Sequence, residues 1–115
     1  MLIKKNQAIR KENSDNCVVF EYDYDNLDSG FAVAEINGRY PSEGKSMNLD
    51  CDQVYYVISG GAKLFSDKGE FKIEQGDLYY FKKKEAYYII GNNLKVCIIN
   101  FPKWNLKQYK LIKDK

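Results

Sequence analysis

Histidine is absent from the 115 residues of this chain. That excludes imidazole as a metal ligand, as a general base and as the partner of a serine or cysteine nucleophile. Proline occurs twice and glycine eight times, too rarely for a collagen-like segment or a low-complexity linker. The three cysteines, Cys17, Cys51 and Cys97, form no paired spacing, which argues against a disulfide framework and against a C-x-x-C metal site. No stretch approaches the roughly 20 apolar residues of a membrane span. The opening MLIKKNQAIRKENSD is charged throughout and lacks the apolar core of a secretion signal. Together these features predict no membrane partner and a reducing, cytoplasmic setting. Net charge is small as well: 18 basic against 16 acidic residues leave +2, so no nucleic-acid partner is expected. The local basic groups, Lys82 to Lys84 and the spaced lysines after Lys103, read as a solvated loop and a solubilising tail.

Aromatic residues, by contrast, are plentiful. Ten Tyr, six Phe and one Trp make up 15% of the chain, and tyrosine, apolar in body and polar at its tip, suits strands, pocket walls and interfaces. Short apolar and aromatic runs recur at 17–24, 31–37, 53–59, 62–66, 70–74, 78–81, 86–90 and 94–101. Turn chemistry separates them: 25–30, Gly38, Gly60-Gly61, Asp67-Lys68-Gly69, Gln75-Gly76-Asp77 and Gly91-Asn92-Asn93. About eight strands at spacings near 8–12 residues predict one all-β domain, a sandwich or barrel, over residues 1–115. Residues 105–113 are expected to form a short C-terminal helix and residues 7–12 a shorter one. The runs VYYVI and KVCIINF are apolar at alternate positions on both faces. Strands of that kind are buried on both sides, which predicts a covered outer face and a homodimer.

Two motifs resemble the cupin family, a double-stranded β-helix or jelly-roll barrel. One is Gln53-Val-Tyr-Tyr-Val-Ile-Ser-Gly60; the other is the hairpin and Gly-Asp turn of Gly69-Glu-Phe-Lys-Ile-Glu-Gln-Gly76-Asp77-Leu-Tyr-Tyr-Phe. The direct match spans residues 38–92. Metal-dependent cupins are similar to one another in carrying two histidines and a glutamate on the first motif and a histidine on the second. Along this chain the histidine pair falls at Ser46 and Asn48, or one residue later at Met47 and Leu49. The glutamate falls at Gln53 and the last histidine at Tyr87. The loop proline and glycine of the second motif are Lys82 and Lys84. Neutral amide and phenol oxygens are poor ligands for divalent transition metals, so no metal and no other cofactor is expected.

In the cupin register Gln53, Tyr55 and Val57 point into the barrel, Tyr87 and Ile89 face them, and Asn48 lies near the mouth. Arg39, in a Gly/Pro-flanked loop, is a candidate to grip a carboxylate or phosphate at the mouth; its alternative is a surface ion pair with Glu43 or Glu35. Trp104, just after Pro102, is a candidate lid or stacking surface, or simply an anchor for the C-terminal segment. Arg39, Asn48, Gln53, Tyr55, Tyr87 and Trp104 are therefore the expected ligand-binding residues; the candidates for acid–base work are Tyr87 first, then Tyr55, Glu85 and the lysines, with no base opposite Tyr87. Glu85, in the KKKE loop, is expected to be solvated. Cys51, between Asp50 and Asp52, is expected to be a structural thiol of raised pKa, and Cys97 to lie in the core. Three functions follow: a metal-independent domain binding a carbohydrate or organic acid, a metal-free sugar isomerase or epimerase, or a filled barrel whose role is dimerisation.

Overall fold

The computed structural model describes residues 1–25 and 28–113; part of the expected turn at 25–30 lies outside them. Nine strands run through the described residues: β1 (Ile9–Ser14), β2 (Cys17–Tyr22), β3 (Gly30–Tyr40), β4 (Lys45–Asn48), β5 (Asp52–Ser66), β6 (Gly69–Glu74), β7 (Leu78–Phe81), β8 (Tyr87–Phe101) and β9 (Tyr109–Ile112). All pair antiparallel. The order is β1-β2-β3-β8-β4-β9, with β5 on the other edge of β8 and β6 and β7 along the far edge of β5. The result is one curled sheet, open between β1 and β9, rather than the closed jelly-roll barrel expected.

The long strands β5 and β8 are the frame. Each was expected as two strands broken at glycine, at Gly60-Gly61 and at Gly91-Asn92-Asn93. Instead each runs unbroken through a bulge, and the register slips between Val57 and Gly61. Gly60 holds φ at +73°, and a side chain there would run into the Asn93 carbonyl. A Cβ on Gly91 would strike the Ile36 carbonyl of β3. These glycines permit backbones to close on one another within the sheet; they do not end it. Each slip inverts which parity points inward. On β5, Gln53, Tyr55 and Val57 face in before the bulge, and Ala62 and Leu64 after it.

Neither predicted helix forms. Residues 105–113 make a 3-10 turn, Leu106–Gln108, followed by β9, whose backbone pairs with β4 from Lys45↔Ile112 to Asn48↔Tyr109. Residues 7–12 likewise lead out of a 3-10 turn at Lys5–Gln7 into β1, paired with β2. Segments this short are marginal helices, whereas each here satisfies a strand edge with a full ladder. Among the described residues no helix is long and apolar enough to cross a membrane.

The inward faces of β2, β3, β5 and β8 share one core, to which Phe81 of β7 contributes. The outer faces of β5 and β8 are less covered than the runs VYYVI and KVCIINF suggested: Tyr56, Ile58 and Phe101 are exposed. Cys97 is half-buried on that outer face, opposite Tyr56 and Val33, and so is not a core residue.

Candidate functional site

A cavity of about 630 Å³ opens inside the curl, between the inner faces of β1, β2, β3, β5 and β8 and the segment 103–109. Its size is set chiefly on β3. The inward positions there are Gly30, Ala32 and Ala34 before they change to Ile36, and three small residues in phase leave the space that three Ile or Leu side chains would fill.

Neutral amides build its inner polar wall. Trp104 Nε1 and Gln108 Nε2 both donate to Asn48 Oδ1, at 3.1 and 3.0 Å. Asn48 Nδ2 donates to Gln53 Oε1 at 3.4 Å, and Gln53 Nε2 donates to Asn100 Oδ1 at 2.8 Å. Asn48, Gln53, Asn100 and Gln108 are all buried. Ser46 and Asn48 are the inward residues of β4, and Met47 lies between them on the other side, which resolves the one-residue ambiguity at 46–49.

Phenols make the second wall. The hydroxyls of Tyr55 and Tyr87 lie 3.3 Å apart, and that of Tyr109 is 2.7 Å from Ser46 Oγ. Phe81 packs behind them, its ring centroid 4.3 Å from Tyr87 and 4.9 Å from Tyr55. Burial holds the pKa of Tyr55, Tyr87 and Tyr40 far above the ordinary phenol value, so all three stay protonated. The Cys17 thiol, on the same cavity surface, is pushed up to about 12 by burial.

Charge enters only toward solvent. Lys11 of β1 pairs with Glu21 of β2 at 2.6 Å, and Lys103 pairs with Asp23 at 2.5 Å. All four line the cavity, and all keep substantial side-chain exposure. The hydrogen bond from Lys103 lowers the pKa of Asp23, and the same bond raises that of Lys103.

The fold gathers Asn48, Gln53, Tyr55, Tyr87 and Trp104 around this cavity and leaves Arg39 outside it. Arg39 donates to the carbonyls of Pro41 and Gly44, and its guanidinium lies 4.2 Å from the Tyr88 ring centroid. It braces its own loop, apart from the residues that line the cavity, and among the described residues it forms no ion pair with Glu35 or Glu43. Asn48 is buried in the amide wall, bonded to Gln53, Trp104 and Gln108. Glu85 is buried, not solvated: it accepts the Tyr79 hydroxyl at 2.6 Å and the Lys82 N–H at 3.2 Å, tying the lysine loop to β7. Cys51 is buried beside the Lys103 carbonyl, its thiol pKa raised by burial and then by Asp50 and Asp52.

Sequence reasoning missed Lys11, Glu21, Tyr40, Asn100 and Tyr109. Asn100 carried a usable signal, since it continues the inward set of Leu94, Val96 and Ile98 as a polar residue in an apolar phase. Lys11 and Tyr109 lay in segments expected to be helical.

A curled antiparallel sheet enclosing a polar-walled cavity is a cupin-like fold, and comparison with solved structures establishes it. A variant of Streptomyces Pac13 with uridine superimposes at a TM-score of 0.88 and 12% identity, over 98% of this chain and 90% of that one; a further match describes Pac13 as a unique nucleoside dehydratase. KdgF from Halomonas sp. matches at 0.75 and 11% identity, over 90% and 96% of the two chains. Ectoine synthase from P. lautus matches at 0.74 and 11% identity, over 100% and 92%. No family model and no curated protein sequence matches.

The metal that histidine-bearing cupins hold does not fit this wall. Asn48 and Gln53 spend their oxygens on each other's network, and Tyr87 is held as a neutral phenol. Among the described residues no group of three or more His, Cys, Asp or Glu could hold a metal ion.

Proposed function

We propose that this cupin-like domain binds a small, neutral, polar molecule of roughly nucleoside size, through hydrogen bonds to its amide wall and contact with its tyrosine rings. One observation carries the reading: the cavity joins a volume of about 630 Å³ to a wall of buried amides and protonated phenols with no charge at its inner end. Small-molecule sites commonly combine about 300–1,000 Å³ of largely apolar lining with a few convergent polar groups. The likeness to a fold that holds uridine elsewhere makes a nucleoside the first ligand to try, ahead of free sugars and organic acids. Calorimetric titration with uridine, a sugar panel and a carboxylic-acid panel tests it. Saturable binding that is lost in Gln53→Leu supports the reading; no binding from any of the three classes overturns it.

One observation favours a second, catalytic reading. Lys11 and Glu21 form a titratable pair on the surface of the same cavity, the kind of acid–base couple that a metal-free isomerase or epimerase needs alongside a phenol such as Tyr87. Turnover of a bound sugar or nucleoside that disappears in Glu21→Gln while binding persists would establish it; binding without turnover of any ligand rejects it. A homodimer through the outer face bearing Tyr56, Ile58, Leu78 and Tyr80 accords with their exposure; a single-chain mass by light scattering overturns it.

A further inference from the structure

The amide wall has a direction, and that direction selects the ligand. An amide side chain can turn end for end, so a ring of Asn and Gln alone would leave donor and acceptor undecided. Here two groups that can only donate fix one end. The Trp104 indole N–H points at Asn48 Oδ1, and the backbone N–H of Asp50 points at Gln108 Oε1 at 3.3 Å. With its oxygen held by Asp50, Gln108 must present its N–H to Asn48, so both inputs reach the same Asn48 oxygen. Asn48 is then obliged to donate to Gln53, and Gln53 to donate to Asn100. Every amide oxygen in the series accepts at least one hydrogen bond, and the one amide nitrogen of the series that donates to no described residue is Asn100 Nδ2.

That nitrogen has no acceptor among the described residues, although Asn100 is only 7% exposed. No buried side-chain nitrogen or oxygen among them lacks a partner, so the unpaired N–H₂ must open on the cavity that Asn100 lines. Gly30, its β3 partner, brings no side chain to cover it. The geometry points to Asn100 as a specificity-determining residue that requires a carbonyl-type acceptor on the ligand and rejects an amino group at that point. This rests on the reading of the cavity as a ligand site and adds the polarity of the ligand's recognised edge.

The test uses two small probes of nearly one shape, 1-methyl-2-pyridone, with an acceptor oxygen beside a methyl group, and 2-methylaniline, with an amino group in its place. Each is titrated into the ¹⁵N-labelled protein while the Asn100 side-chain amide signal is followed. The pyridone is expected to bind about tenfold more tightly, the difference between a paired and an unpaired buried amide, and to shift that signal. Asn100→Asp keeps an oxygen for Gln53 and replaces the N–H₂ by a second oxygen, so the preference is expected to reverse. Should that variant unfold, Asn100→Ala serves instead, with the preference expected to vanish. Equal binding of both probes to the wild-type protein, or a preference unchanged by substitution, overturns the inference and leaves the cavity reading standing. Entry of neither probe overturns both.

Discussion

The interior of this sheet is divided between a packed part and a hollow part built on the same strands. In the packed part the inward residues are Ile36, Val57, Leu64, Ile89, Leu94 and Val96, all essentially free of solvent. In the hollow part, along the same β3, β5 and β8, they are Gly30, Ala32, Ala34, Gln53, Tyr55, Ile98 and Asn100. The backbone ladder continues through both. Side-chain volume and polarity alone change, so the fold is packed with hydrocarbon at one end and hollow at the other. The aromatic group of Tyr55, Phe81 and Tyr87 forms the partition.

If the packed part carries the stability, truncating it should cost most. Leu64→Ala removes a fully buried side chain and is expected to cost about 2–5 kcal/mol of unfolding free energy. Overpacking the same region with Ala62→Leu should cost about 1–3 kcal/mol. Urea denaturation read by tyrosine and tryptophan fluorescence measures both. A Leu64→Ala loss below that range would mean that the hollow part shares the burden equally.

Much of the strand framework was legible in the sequence. The clean alternation of EFKIE predicts β6, and the run AKLFS predicts the second half of β5. The Asp67-Lys68-Gly69 turn joins them, with Ser66 paired to Gly69. The Gln53 and Gly76-Asp77 motifs carried the fold resemblance, and Gln53, Tyr55 and Tyr87 were placed from it. What sequence could not separate was a glycine that ends a strand from a glycine that lets two strands approach. Gly60 and Gly91 look like breaks on paper and act as bulges because their neighbours are distant in the chain. The same limit hid β1 and β9, whose pairing partners supply the reason for their conformation. Glu85 was misread for a related cause: its neighbours in sequence are lysines, but its partner is the Tyr79 hydroxyl of β7. Arg39 was placed at the mouth on loop chemistry alone, and the loop carbonyls of Pro41 and Gly44 claim it first.

The hollow part should also be where alkali attacks. Cys17, Tyr40, Tyr55 and Tyr87 all line the cavity, and all have pKa values raised by burial. A group whose folded pKa lies above its unfolded value holds its proton longer in the native state. Its contribution is therefore fully present below the unfolded pKa and falls as pH rises toward the folded one. For Cys17 the window opens near the ordinary thiol value of about 8.5 and closes at about 12. Within it each such group removes up to about 1.4 kcal/mol per pH unit. Cys17→Val takes one of them away, so stability measured across this range should decline less steeply than in the wild-type chain. An unchanged slope would show that the thiol meets water freely in the folded protein.

The smallest change in stability is expected where the interior is emptiest. Ala32 faces the cavity from β3, between Gly30 and Ala34, with Ile98 opposite it on β8. Ala32→Leu adds a side chain to open space, whereas Ala62→Leu adds the same side chain to a filled one. Cavity-filling substitutions commonly raise stability, here by no more than about 1 kcal/mol, because part of the added surface meets the amide wall rather than hydrocarbon. Ligand binding should nonetheless fail, since the new side chain occupies the volume beside Asn100 that a bound molecule needs. Paired measurement of thermal midpoint and uridine affinity in the two variants separates the two parts of the interior directly. Loss of stability without loss of binding in Ala32→Leu would place the guest elsewhere and make this space part of the packed core.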